Sequence, residues 1–540
     1  MPRAFMITPG DGRSTANAFW MGDHAKIIPQ VEKYLTENGL EIVWLHPKEE
    51  TVCSDTMAVK VGQKLLEEMA DGDKLVPLTT GWCWPAHTGI VFTMAQDAIR
   101  DGKLQVINIC NMKEKAPGYV GQRANELALE ILQLSDDCLT IIDQSEIGWA
   151  EFAIDLKAVL EGNYSTTIPS GPVEVTAEHE RIAKEALVFL KKSGGLVRLV
   201  NVASMHMYQG WPNLYEFMKL GLTPVFVGSN QFQEEMARIL QRDINKAYDW
   251  LKEFGLKFEY KSGGLTRKEI DLALRMYLVK LGWWNDGVLG MGTQGQMEQI
   301  RVVATDLSET LMMSSYSPGK NVPVIDVTEA DCEALVSSLL AQAIIFVKTG
   351  QMFPVGFHDI RHYNVAEDTL VLLNSGALAL DFMTDTVGDY SDITAVSQNR
   401  QVYFLNGGAC VYGNMRPSKE QFAFQASRKR FHLYYEGGKD GYPALELGKA
   451  ARSLRRAGPL ANGYCTDAQW RDEGYDPQLG AEPRPARGNG YSARACRCVQ
   501  HSRLWVPMFR IIEQVSFGRT MPSCVFCARA LFLYFICNFY

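Results

Sequence analysis

Long apolar runs are missing from this chain of 540 residues: no stretch approaches the roughly 20 apolar residues that a spanning helix needs. The opening residues, MPRAFMITPGDGR, lack the apolar core of a secretory leader. Excess positive charge is missing too. A formal net charge of −8 suits neither nucleic acid nor an anionic membrane. No GxGxxG follows any candidate strand, so a dinucleotide site of that kind is unsupported. Cys53, Cys83, Cys110, Cys138, Cys332 and Cys410 show no metal-ligand spacing and read as reduced, mostly buried thiols. These absences leave a cytoplasmic enzyme as the simplest expectation, with no nucleic-acid partner and no membrane.

What is present reads as globular. Hydrophobic residues make up 46% and charged residues 21%, and the length suggests two to four domains. In the first third, strand candidates at 41–46 (EIVWLH), 75–80 (LVPLTT), 104–110 (LQVINIC) and 139–144 (LTIIDQ) alternate with helical stretches such as 57–69. That alternation predicts a doubly wound parallel sheet over residues 1–168. The turn Pro169–Pro172 (PSGP) reads as a linker. A second alternating α/β block follows over 169–352, with helices expected at 177–192, 211–220, 230–254 and 265–282 and strands at LVRLVNVAS and LTPVFVGS. After Asp381 the texture turns to polar–apolar alternation rich in aromatics, which predicts a partial β-rich C-terminal domain over 353–438. Residues 441–540 carry twelve Arg against one Lys and six of the chain's twelve cysteines, with poor hydrophobic periodicity. Residues 439–540 read as a tail foreign to the rest. Cys496, Cys498, Cys524 and Cys527 make only a weak zinc pattern there.

The chemistry concentrates between Asn321 and Asp381. Val322–Val327 reads as a buried strand, and Thr328-Glu329-Ala330-Asp331 has the form of a capping box. Glu329 then sits at the strand-to-helix edge where open α/β sheets bind ligands. A second strand ends in Asp359, flanked by His358, Arg361 and His362, and a third ends in Asn374-Ser375-Gly376. Two carboxylates at strand ends could hold a divalent cation or act as an acid/base pair. The plainer alternatives are that Asp359 merely pairs with Arg361, and that Glu329 is an ordinary acid in a helix first turn. Asp11-Gly12-Arg13 and Gly81-Trp82-Cys83-Trp84-Pro85 follow earlier strands. They could hold a sugar, or they could be a capped turn and a hydrophobic lid.

The segments VTEAD, FHDIRHY and LLNSGALALD, with GTQGQ at 292–296, SMHMYQG at 204–210, TTGWCWP at 79–85 and DGR at 11–13, resemble the active-site segments of the L-fucose isomerase family. The resemblance covers roughly residues 5–437. It implies two doubly wound α/β domains followed by a β-rich domain, and an aldose–ketose isomerase that uses Mn2+. By that resemblance Glu329 is the base and Asp359 the acid, both ligating the metal. Gln294 and Ser375 bind the sugar, while Arg13 and Trp82 reach it from a neighbouring subunit of a homo-oligomer. The chain departs from the pattern in two places. Asn406-Gly407-Gly408-Ala409 stands where the family carries GGGY, and no asparagine–histidine–glycine segment supplies the third ligand. His501 does not match that setting, and His358 and His362 occupy places that are not ligands in the family. The sequence therefore admits two expectations: an active isomerase of L-fucose or a related sugar such as D-arabinose, or an impaired sugar- or metal-binding relative.

Overall fold

The computed structural model describes residues 1–111, 118–134, 137–141, 157, 160, 176–211, 214–356, 358–364, 369–373, 377–398, 400, 402–414, 422–426, 431–435 and 533–534. The first domain runs β1 (Arg3–Ile7), α1 (Ser14–Glu37), β2 (Glu41–Trp44), α2 (Asp55–Glu68), β3 (Asp73–Thr79), α3 (Pro85–Arg100), β4 (Leu104–Asn111), α4 (Gly118–Ile131) and β5 (Asp137–Ile141). The five strands form one sheet in the order β2-β1-β3-β4-β5, parallel throughout. Each expected strand is found within a few residues of its sequence position. Helix α2 begins where Ser54 accepts a hydrogen bond from the Met57 amide, and it buries Ala58, Val61 and Leu65 at helical spacing. One apolar layer packs on each face of the sheet, Phe5, Ile7 and Phe92 on one side and Met6, Ile28 and Leu78 on the other.

The second domain contains α5 (Ala177–Lys192), β6 (Leu196–Val200), α6 (Leu214–Lys219), β7 (Thr223–Val227), α7 (Ser229–Arg238), α8 (Gln241–Glu253), β8 (Lys257–Phe258), α9 (Arg267–Asn285), β9 (Gly290–Thr293), α10 (Asp306–Met313), β10 (Ile325–Thr328) and α11 (Cys332–Thr349). Its parallel sheet has the order β10-β9-β6-β7. The single helix expected over 230–254 is two. Ile239 and Leu240 are extended at the break, so Ile239 leaves the stripe that Ile244, Ala247 and Leu251 bury. Helix α11 is long and apolar enough to cross a membrane by length and composition, contrary to the reading of the sequence, and here it lies in the core of this domain.

The capping box expected at Thr328–Asp331 does not form. Thr328 ends β10, Glu329 and Ala330 adopt left-handed backbone (φ 63° and 51°), and Asp331 caps α11 by accepting from the Ala334 amide at 2.8 Å. Glu329 is therefore a turn residue and not a member of a helix first turn.

Beyond α11, β11 (His358–Asn364) and β12 (Thr369–Leu373) pair antiparallel, and β13 (Thr394–Ser397) pairs antiparallel with β14 (Ala409–Tyr412). Strands β15 (Phe422–Ala426) and β16 (Phe431–Tyr435) form a further antiparallel pair, and β17 (Leu533–Tyr534) lies against His358 and Asp359. In β5, β11, β12, β15, β16 and β17 the backbone alone is described. The segment 377–411 is continuous with the second domain: β13 pairs parallel with β8, and Tyr390, Ile393, Ala395, Ala409 and Val411 share a core with α8 and α9. Cys53, Cys83, Cys110 and Cys332 are free thiols as expected, whereas Cys410 is disulfide-bonded, against the expectation.

Leu339 is wholly buried, and its methyls, with those of Leu335, pack over the place where a side chain on Gly290 would project. Leu339→Ala should cost about 2–5 kcal/mol, read as a lower urea midpoint at an unchanged m-value.

Candidate active site

Each sheet reverses its winding once, and those two places meet. In the first domain the chain winds outward in both directions from between β1 and β3; in the second, from between β6 and β9. Ligands of open α/β sheets bind beyond the strand carboxyl ends at such switch points. The loops leaving β1 and β3 carry Asp11, Arg13, Trp82 and Trp84. Those leaving β6, β9 and β10 carry Ser204 to His206, Gln294, Gln296 and Glu329.

The first pair of loops is fixed by local bonds. The Trp84 amide donates to the Gly10 carbonyl at 3.2 Å, and Nδ1 of buried His87 lies 3.0 Å from the same oxygen. Burial keeps the His87 imidazole below its ordinary range, so the ring is neutral and Nδ1 donates. Gly12 has no room for a side chain, because the Trp84 ring occupies the space.

Arg13 reaches across to the second domain. Its Nε and Nη2 donate to the two carboxylate oxygens of Asp11 at 2.9 and 2.7 Å, and its Nη1 donates to Gln296 Oε1 at 2.6 Å. Its Nη2 also lies 3.2 Å from Met205 Sδ, and the ring of Tyr403 lies 5.0 Å from the guanidinium carbon. Burial works against the charge on Arg13, and the Asp11 carboxylate more than offsets it. The resemblance assigned Arg13 to a neighbouring subunit; the contact with Gln296 is made inside one chain. Trp84 also spans the junction, with its ring 4.9 Å from that of His206.

Glu329 sits in the opposite wall. Its Oε2 accepts from the Gln296 amide at 3.3 Å, and Ser204 and Arg13 also favour its charged form. Burial outweighs them and raises its carboxyl to about 7. The left-handed turn that carries it fits because β9 has glycine at position 292: a Cβ there would stand 2.6 Å from Val327 Cγ2 and 3.0 Å from Ala330 Cα. The neighbouring loops are bent the same way, with Asn201, Ala203, Met205 and His206 all at positive φ. Left-handed backbone at so many non-glycine residues is costly and concentrates where function imposes geometry.

Of the residues named from the sequence, Arg13, Gln294 and Glu329 come to this junction. Gln294 donates from Nε2 to the Val202 carbonyl at 2.8 Å and leaves its buried Oε1 without a partner. Trp82 follows β3 and is half-buried, and its indole nitrogen is buried without a partner. Asp359 belongs to β11, where it stands opposite Leu373; its side chain lies outside the described residues, as does the whole of Ser375. Cys496, Cys498, His501, Cys524 and Cys527 lie outside them too. Gln296, Ser204, His206 and Tyr403 have no individual role in the sequence reading, and Trp84 enters it only with Trp82 in the turn that could hold a sugar. Gln296 and Trp84 share loops with Gln294 and Trp82, and Ser204 and His206 lie in SMHMYQG, whereas no sequence signal marks Tyr403.

Behind Glu329 lies buried Asp306. Burial, with Glu329 close by, raises its carboxyl to about 7, against an opposing hydrogen bond from Gln398. Among the described residues no group of three or more His, Cys, Asp or Glu side chains is placed to hold a metal ion. Glu329 alone is too small a ligand set for manganese, so the described side chains do not by themselves fit that ion. No family model matches the chain, and no curated protein matches it.

A carboxyl raised on folding binds its proton more tightly in the folded state. Its contribution to stability is therefore greatest below its unfolded pKa and is lost as pH rises through the folded one. For Asp306 that window runs from 3.8 to about 7. The loss approaches about 4 kcal/mol if nothing relaxes. Asp306→Asn should shrink the fall in Tm between pH 5 and pH 8, with Glu329 accounting for part of what remains. An equal fall in variant and wild type would contradict the assignment.

Proposed function

We propose that the chain is an aldose–ketose isomerase of the L-fucose isomerase type, interconverting L-fucose and L-fuculose, or a related sugar such as D-arabinose, through an enediol. One observation carries this reading: a carboxyl raised to about 7, on a left-handed turn at a strand's carboxyl end, facing an arginine held by the opposite sheet. Isomerisation moves a proton between C1 and C2 while the two oxygens exchange carbonyl and hydroxyl roles. The group that moves it must accept a proton from carbon and return it at neutral pH. A carboxyl near 7 does both, being present in each protonation state at that pH.

In this reading Glu329 abstracts the proton from carbon. The orphaned Oε1 of Gln294 accepts from a sugar hydroxyl, and the indole of Trp82 offers a donor and an apolar face. Arg13 spends three of its five donors on Asp11 and Gln296, so its part is to hold the Gln296 loop against Glu329 and to keep positive charge near the developing oxyanion. Asp359 as the acid and Ser375 as a sugar contact rest on the resemblance. Manganese belongs to the proposal on the same ground, with Glu329 and Asp359 as its protein ligands and Lewis-acid stabilisation of the sugar oxygens as its contribution. None of the steps above runs through it. An assembly of identical copies in the cytoplasm also belongs to the proposal, with Arg13 serving the site of its own chain.

A second reading, a sugar- or metal-binding relative without turnover, is favoured by the missing asparagine–histidine–glycine segment that would supply the third ligand. Manganese and turnover separate the two. A rise in Tm at micromolar Mn2+ together with ketose formation from L-fucose supports the isomerase, whereas no shift at millimolar Mn2+ and no ketose supports the binding relative. Given turnover, Glu329→Gln should lower kcat by roughly 100- to 10,000-fold with the fold intact by circular dichroism. Retained activity would remove Glu329 from the role of base.

A further inference from the structure

A second buried network lies along β10, next to the turn that carries Glu329. Lys280, on α9, donates from Nζ to Asp326 Oδ2 at 2.6 Å, and both side chains are wholly shielded from solvent. Two residues along the strand, Thr328 donates from Oγ1 to Glu309 Oε2 at 3.1 Å. Glu309, on α10, is wholly buried, and the Lys280 ammonium and Asp326 both act on it electrostatically. Asp326 and Thr328 project from one face of β10 because strand side chains alternate, so α9 and α10 both grip that face. The next residue is Glu329, where the backbone enters the left-handed region and stays there through Ala330.

A charged pair placed wholly out of water is a poor source of stability compared with an apolar pair of the same volume. Its value lies in geometry: a buried ammonium accepts few arrangements of its partners. A left-handed non-glycine turn likewise persists only when its surroundings over-determine it.

We propose that Glu309 and Lys280 are positioning residues for Glu329: with Asp326 and Thr328 they clamp the last turn of β10 so that the Glu329 carboxylate is held towards the Gln296 loop. Lys280 anchors the strand at Asp326 and orients Glu309. Glu309 takes the Thr328 hydroxyl and fixes the residue from which the turn departs. The inference rests on Glu329 being the reacting carboxylate, and its test has one readout that needs no activity.

The test compares wild type with Thr328→Val, which deletes the hydroxyl and keeps the shape, with Thr328→Ser, which keeps the hydroxyl, and with Lys280→Met. The readouts are amide hydrogen exchange in the peptide 325–331 and, with L-fucose and Mn2+, kcat and KM. In Thr328→Val, exchange in that peptide should rise about tenfold while the peptide 104–111 in the first sheet stays unchanged. With turnover present, kcat should fall about tenfold with KM within about twofold, since the loss concerns placement of the reacting group and not sugar binding. Thr328→Ser should return both readouts to near wild type, and Lys280→Met should loosen the same peptide. Unchanged exchange in Thr328→Val overturns the proposal. So does exchange that rises equally across the chain, an unchanged kcat in an active background, or a serine variant that behaves like valine. If the wild type turns over no sugar, the isomerase reading fails, and the exchange pattern still decides whether the clamp exists. Should Lys280→Met fail to fold, the near-isosteric Thr328 pair carries the decision.

Discussion

A half-buried guanidinium has five N–H donors to satisfy, and at Arg13 that requirement joins two independently wound sheets. Asp11, from the arginine's own loop, takes two of the bonds and holds the fork flat. The opposite domain supplies Gln296 and the sulfur of Met205, and Tyr403 covers the outer face. No lysine could satisfy so many directions from one rigid plane. Because Gln296 also donates its amide to Glu329, the position of a carboxylate in one domain is tied through a single loop to an arginine in the other.

The two sides of that loop have opposite electrostatics. Towards the first domain, charge is balanced one for one, with buried Asp11 paired to Arg13. Away from it, buried Asp306, Glu309 and Asp326 share the field of one ammonium, Lys280, which only Asp326 is shown to touch, and burial raises all three carboxyls above their ordinary range. A surplus of buried acids against one base keeps protons in the interior at neutral pH. Glu329 stands at the boundary between the two regions.

The fold was legible where periodicity is local. Strands β1 to β5 and the helices between them follow from apolar runs alternating with helical stripes, and Ala177–Lys192 is found as expected because Thr176 and His179 make a capping box that defines its start. Legibility failed where a local pattern was overruled from a distance. Thr328-Glu329-Ala330-Asp331 has the letters of a capping box, yet Thr328 is drawn into the strand by its bond to Glu309, and Asp331 takes the cap. The helix break at Ile239–Leu240 carries no glycine or proline to announce it. At the site, Gln294 and Glu329 were legible by position, whereas Gln296, Trp84 and His206 act through partners more than a hundred residues away, which spacing does not encode.

Helix α11 is apolar around nearly its whole circumference, and its neighbours come from both directions in sequence: α5 precedes it, while Ala377–Ala379 and Phe382 follow it. During synthesis the helix leaves the ribosome before those later residues have emerged. Its outward side then stays greasy until some thirty more residues have been added, a delay of a few seconds at ordinary elongation rates of about 5–20 residues per second. The neighbouring core closes later still, because β8 waits for β13 across a gap of more than 130 residues. Half-made chains of this protein should therefore depend on chaperones over that window, and a chain stalled once α11 has emerged but before Ala377 has would display a sticky helix with nothing yet to cover it.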